Sequence, residues 1–225
     1  IRLGMIWAGL EPEPGEYDER YIQYIEEKLD EAAELGIAVV LDMHQDLYAQ
    51  RFSDGAPDWA VLTEHDFAET ELWSDAYITS QAVQGSWDAF WRNDTAPASG
   101  KGLQDHYTEL WAHLAARFKD HPAIFGYDLM NEPAPGSEMP GLFAQLLLGF
   151  LEQVSPEQAE ALNLADLPSP EVIFFDPELK LQFLDLLEDE DFFRRVSDQA
   201  ADSTAHFERE KIGPFYNRVA KAIRQ

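Results

Sequence analysis

Residues 123–133 read A-I-F-G-Y-D-L-M-N-E-P. Seven residues with the apolar pattern of a buried strand run into Asn131-Glu132-Pro133, so an amide and a carboxylic acid stand where the strand ends and a loop begins. Proline fixes the exit. At the carboxyl end of a strand, such a pair is placed for proton transfer and for holding a substrate hydroxyl. The tripeptide is short, and its weight comes from two other segments that end in the same way.

Residues 1–9 read I-R-L-G-M-I-W-A-G and residues 37–46 read I-A-V-V-L-D-M-H-Q-D, both apolar runs that finish in polar or aromatic groups. Between them Glu11-Pro12-Glu13-Pro14-Gly15 makes a rigid turn and Asp18 is a helix N-cap. Tyr21, Ile22, Ile25, Leu29, Ala32 and Ala33 then recur at helical spacing up to Gly36, which suits the C-terminal cap. Strand, helix and strand in this order predict a parallel sheet. Three strand ends converge on one polar site.

Residues 44–102 hold no clear core strand but carry Trp59, Trp73, Trp87 and Trp91 among turn and acidic residues. A long segment after a strand's carboxyl end belongs to the active-site face. A helical face follows through Leu103, Tyr107, Leu110, Trp111, Leu114 and Phe118, with Trp111 in the core. Beyond Pro133, residues 142–151 suit an apolar helix too short to span a bilayer. Residues 152–210 hold 16 acids against four Lys or Arg and read as a solvated helical insertion. Residues 137–207 resemble nothing assignable. The last helix carries Ile212, Phe215, Val219 and Ile223 on one face, starting or kinking at Gly213-Pro214.

The formal charge of −27, from 43 acidic and 16 basic residues, opposes binding to nucleic acid or to an anionic membrane surface. A neutral, sugar-bearing substrate is compatible with it. Without cysteine the chain has no disulfide and no thiolate metal site. No stretch reaches the length of a membrane span, so stable membrane insertion is not expected.

The segments I-R-L-G-M-I-W-A-G-L-E-P-E-P-G, V-V-L-D-M-H-Q-D-L-Y, D-G-A-P-D-W-A and G-Y-D-L-M-N-E-P, in this order, resemble glycoside hydrolase family 5, and within it the endoglycoceramidase and glucosylceramidase-like branch. The resemblance is dense over residues 1–133 and returns at residues 214–224. It implies an α/β fold of the TIM (β/α)8-barrel type. The three strands correspond to the second, third and fourth of that barrel, so the expectation is one partial catalytic domain over residues 1–225. Three strands where eight are needed read as part of a larger enzyme.

By the same resemblance the activity is retaining hydrolysis of O-glycosyl bonds in a glycolipid, a glycosylceramide or a steryl glucoside. Glu132 matches the general acid/base and Asn131 the residue that holds the sugar 2-hydroxyl. Arg2 matches the arginine that keeps the nucleophile ionised, although a lone strand arginine can equally be structural. Trp91 matches an aromatic of the glycone site. Asp42, His44 and Asp46 stand at alternate positions and share one side of an extended strand, where they can grip several sugar hydroxyls. They could instead bind a metal, but hydroxyl recognition accounts for the spacing and the family needs no ion. Neither metal nor cofactor is expected.

The family's nucleophile sits on a seventh strand that has no counterpart here. Asp176, after residues 172–175 (V-I-F-F), is the one internal acid that imitates it. A secreted or extracellular location is favoured by resemblance, with a cytoplasmic one open. The competing class is a non-catalytic carbohydrate-binding or degenerate barrel protein that kept the sugar-gripping strand ends and lost the nucleophile.

Overall fold

A computed structural model of the chain describes residues 1–161, 164, 176–186 and 188–225. In chain order the elements are β1 (Arg2–Ile6), α1 (Trp7–Leu10), α2 (Glu19–Glu34), β2 (Val39–His44), α3 (Ala76–Thr79), α4 (Gln81–Trp91), β3 (Thr95–Ala96), β4 (Lys101–Gly102), α5 (Leu103–Phe118), β5 (Ile124–Asp128), α6 (Met139–Gln153), α7 (Pro156–Ala161), α8 (Pro177–Leu186), α9 (Glu190–Phe207) and α10 (Gly213–Ile223). They form two compact units, one of residues 1–137 with 211–225 and one of residues 138–210.

The first unit is built on a parallel sheet in the order β1-β2-β5. The register sets Gly4 beside Asp42 and Ile6 beside His44, and on the other side Asp42 beside Asp128. This is the predicted (β/α)8-type arc, a partial barrel of three strands. Its strands are shorter than the apolar runs suggest, because Trp7 already begins the turn of α1 and β2 ends at His44.

The helix α2 follows from its sequence at both ends. Asp18 accepts hydrogen bonds from the amides of Arg20 and Tyr21, at 2.9 and 3.3 Å. At the other end Gly36 takes φ +67°, its amide bonds to Ala33 and that of Ile37 to Ala32. That is a Schellman ending, which needs a residue tolerant of the left-handed region. The buried stripe is Ile22, Ile25, Leu29 and Ala32. Each of the three large side chains stabilises the unit by roughly 1.5–3 kcal/mol.

The helix α5 carries Trp111 into the core as expected. Against it packs α10, with Phe215 and Val219 buried and Arg218 paired with Asp105. Within residues 44–102 the structure adds a helix that the sequence reading lacked. Ser80 caps α4, which buries Ala82, Val83, Ser86, Trp87, Ala89 and Phe90 at helical spacing. Gly85 sits mid-helix because a Cβ there would stand 3.0 Å from Thr63 Oγ1.

The described residues of the second unit are largely helical. In it α6 and α9 meet through Leu147, Phe150 and Phe192, with the two phenyl rings 4.8 Å apart edge to face. Asp176 caps α8, accepting from the amides of Glu178 and Leu179. Residues 172–175, which precede Asp176, lie outside the described residues. Among the described residues no helix is long and apolar enough to cross a membrane.

Candidate active site

Arg2, Asp42 and Asp128 come from three neighbouring strands: Asp42 and Asp128 are register partners, Gly4 is level with them on β1, and Arg2 stands two residues before Gly4. One guanidinium nitrogen, Nη2, lies 3.0 Å from Asp42 Oδ1, 3.1 Å from Asp128 Oδ2 and 2.5 Å from Asn131 Oδ1. A nitrogen with two N–H groups cannot serve three acceptors well. Asp42 Oδ1 loses that competition: it faces the cation as an ion pair, yet has no hydrogen bond of proper geometry among the described residues. Its other oxygen, Oδ2, lies 2.8 Å from His44 Nδ1. An ionised carboxylate only accepts, so Nδ1 is the protonated nitrogen and Nε2 faces outward.

The strand ends at His44, and the chain continues through a turn that places Asp46 Oδ2 3.8 Å from His44 Nε2. Asp42, His44 and Asp46 therefore form a continuous polar row. His44, Asp46 and Asp54 also bring one ligand atom each within 4.8 Å of one another, so of the described residues this trio has the geometry to hold a cation. Burial raises the Asp46 carboxyl above its ordinary value, and repulsion from Asp54 and Glu132 adds to that, while His44 opposes it.

Replacing Asp54 with Asn preserves the acceptor for the Asp46 amide, now 2.7 Å from Asp54 Oδ1, and removes one charge. Carboxyl-resolved NMR titration should then show the Asp46 pKa falling towards the ordinary carboxylate range. The sign for stability follows. A raised folded pKa favours the folded state at low pH, and that contribution is lost as pH rises through it, so the variant should be the more stable above that point. An unmoved Asp46 titration would refute the repulsion.

Past β5 the chain is irregular from Leu129 to Pro135 before a 3-10 turn at Gly136–Glu138, and buried irregular backbone needs partners for its carbonyls. Side chains supply them. Leu129 O accepts from Tyr107 Oη and Trp111 Nε1, and Met130 O from Tyr216 Oη. Asn131 O and Glu132 O both accept from Gln45 Nε2, Ala134 O from Trp91 Nε1, and Pro135 O from Lys211 Nζ. The Ser137 amide donates to Asp88 Oδ1. Glu132 is held at φ +39°, a region costing a residue with a Cβ on the order of 1–3 kcal/mol.

Asn131 is nearly buried, its Oδ1 taken by Arg2 and its Nδ2 donating to Gln45 O at 3.0 Å. Glu132 is exposed, within electrostatic reach of Asp46 and Tyr77. Trp91 is half-buried, stacked on Trp87 with ring centroids 5.6 Å apart. The structure thus brings Arg2, Asp42, His44, Asp46 and Asn131 into one connected network, with Glu132 following Asn131. Trp91 joins it through the loop backbone.

Two members were not legible in the sequence. Tyr77 falls in an acidic stretch of sequence with no periodic signal and sits on the short helix α3; its hydroxyl accepts from the Leu47 amide at 2.9 Å. Burial pushes this phenol up to about 12, so it stays protonated at neutral pH. Gln45, between His44 and Asp46, is buried and donates to the Asn131 and Glu132 carbonyls, partners that a linear pattern does not reveal.

Three parallel strands joined through helices, with charged and amide groups gathered at the strand ends, form part of a (β/α)8-type barrel domain. The family is shown by comparison: the cellulase model, glycosyl hydrolase family 5, matches residues 1–155, and the chain belongs to that family. It is similar to the endoglycoceramidase of Cyanea nozakii, 34% identical over 161 residues, covering 60% of this chain and 30% of that protein. It is also similar to a glucosylceramidase of Rhizopus delemar, 34% identical over 170 residues, covering 60% of this chain and 24% of that one. Among solved structures, endo-glycoceramidase II from Rhodococcus sp. in its cellobiose-like imidazole complex matches with a TM-score of 0.55 and 38% identity, over 60% of this chain and 32% of the other. Its ganglioside GM3 complex matches with 0.55 and 32%, over 64% and 36%. The chain spans about a third or less of the length of these relatives.

Proposed function

We propose that the protein carrying this chain is a retaining β-glycosidase that hydrolyses the O-glycosyl bond of a glycolipid, a glycosylceramide or a steryl glucoside, with Glu132 as general acid/base. The observation that carries the reading is the carboxylate of Glu132 at the exit of β5, following Asn131, whose amide is fixed by Arg2 and Gln45. The names of the relatives support the glycolipid.

In this reading Glu132 protonates the departing oxygen and later takes a proton from water. Asn131 holds the sugar 2-hydroxyl, and Asp42, His44 and Asp46 hold others. Trp91 borders the sugar site. Arg2, already neutralising two carboxylates, would also face the nucleophile, which the resemblance assigns to a further strand. Residues 1–225 then form one partial catalytic domain, residues 44–102 its active-site face and residues 137–207 a helical insertion. No metal or cofactor takes part, and a secreted or extracellular setting suits the substrate.

The full-length protein incubated with glucosylceramide should release sugar whose first-formed anomer, followed by proton NMR, is β. A first-formed α-anomer would mean inversion. Saturable glycolipid binding without any turnover would favour the non-catalytic binding protein.

A further inference from the structure

Leu47 and Tyr48, with φ of +59° and +81°, and Glu132 at +39° are left-handed residues with side chains, and all three sit at the exits of β2 and β5. One buried side chain connects them. Gln45, 5% exposed, accepts from the Tyr48 amide at 2.7 Å through Oε1. Through Nε2 it donates to Asn131 O at 2.9 Å and Glu132 O at 3.0 Å. Tyr77 Oη, which accepts from the Leu47 amide, lies 3.4 Å from the same nitrogen.

Those two carbonyls belong to the two peptide planes that meet at the Glu132 α-carbon. Because peptide units are planar, holding both oxygens sets φ and ψ there, and with them the direction of the Cα–Cβ bond. Free of that hold, a residue with a Cβ leaves the left-handed region, and one followed by proline has little α region to return to. We infer that Gln45 is the positioning residue that aims the Glu132 carboxylate, locking the β2 and β5 exits together as one unit. This rests on the reading of Glu132 as acid/base.

The test uses the full-length protein with Gln45→Met, which removes donor and acceptor, and Gln45→Glu, which keeps the acceptor for Tyr48. On an aryl β-glycoside with a poor leaving group, Gln45→Met should lower kcat/KM about 100-fold, with KM within about twofold. On a dinitrophenyl glycoside, which departs without a proton, the loss should stay below about fivefold. Equal losses on both would make Gln45 a general structural residue and overturn the inference.

For Gln45→Glu, activity relative to wild type should rise as pH falls, since the protonated carboxyl regains one O–H donor; a flat ratio overturns it. Hydrogen exchange gives a readout independent of turnover. In Gln45→Met the Tyr48 and Asn131 amides should exchange at least about tenfold faster, whereas Gln45→Glu should leave Tyr48 protected. If wild type hydrolyses neither glycoside the glycosidase reading falls, and the exchange rates still decide whether Gln45 holds both turns; unchanged rates in Gln45→Met refute that.

Discussion

Glu132→Gln in the full-length enzyme is expected to lose about 10²–10⁴-fold in hydrolysis of a substrate with an alkoxide-like leaving group, because that oxygen departs only when protonated. A phenolate leaves unaided. With an activated aryl glycoside the variant should still form the glycosyl-enzyme, and turnover should then stall because no base activates the water. Added azide needs no general base and should restore turnover as a β-glycosyl azide, since retention takes two inversions. Replacing the nucleophile would yield the α-azide. Product stereochemistry therefore assigns the role of Glu132: an α-azide from Glu132→Gln, or undiminished activity on the alkyl substrate, removes it from the acid/base position.

Glu11→Ala is expected to be the most damaging single change to folding. Glu11 is completely buried in the turn after α1, and its carboxylate takes three donors: Trp7 Nε1 at 2.8 Å, the Gly15 amide at 2.7 Å and His106 Nδ1 at 2.8 Å. Its own carbonyl accepts from Trp59 Nε1, and Trp59 packs on both Trp7 and His106. The far nitrogen of His106 lies 2.7 Å from Ser99 Oγ. Removing the carboxylate leaves three donors without an acceptor, and each costs about 1–3 kcal/mol. The sum is comparable with the roughly 5–15 kcal/mol that holds a domain together.

Urea unfolding should show a loss of at least about 3 kcal/mol, or no folded population at all. Glu11→Gln should fall between, because its amide nitrogen presents a donor to a site made for acceptors. A loss below about 1 kcal/mol for Glu11→Ala would mean that water replaces the carboxylate and that the network is dispensable.

The three strands of the parallel sheet and the helix α2 were readable from local pattern. The apolar runs ending in Asn131-Glu132 and in His44, the stripe from Ile22 to Leu29, and the Asp18 and Gly36 caps all lie within a few residues of the structure they specify. Periodicity and capping act over one or two turns, so a linear reading recovers them and the parallel order that follows. The row from Asp42 to Asp46 was legible for the same reason.

What linear reading missed is joined over long separations. Gln45 meets the Asn131 carbonyl across 86 residues, and Glu11 meets His106 across 95. The motif containing Glu11 reads as a proline-stiffened turn and says nothing of where its acid goes; burial against Trp7 makes that acid an acceptor hub. The helix α4 was obscured by a mid-segment glycine whose reason is Thr63, packed against it in space but 22 positions earlier in sequence. Local pattern says which residues face inward, and only packing decides which buried polar groups find one another. For the strained turn at Glu132 the decisive partner comes from another strand's exit, so its geometry exists only once β2 and β5 lie side by side.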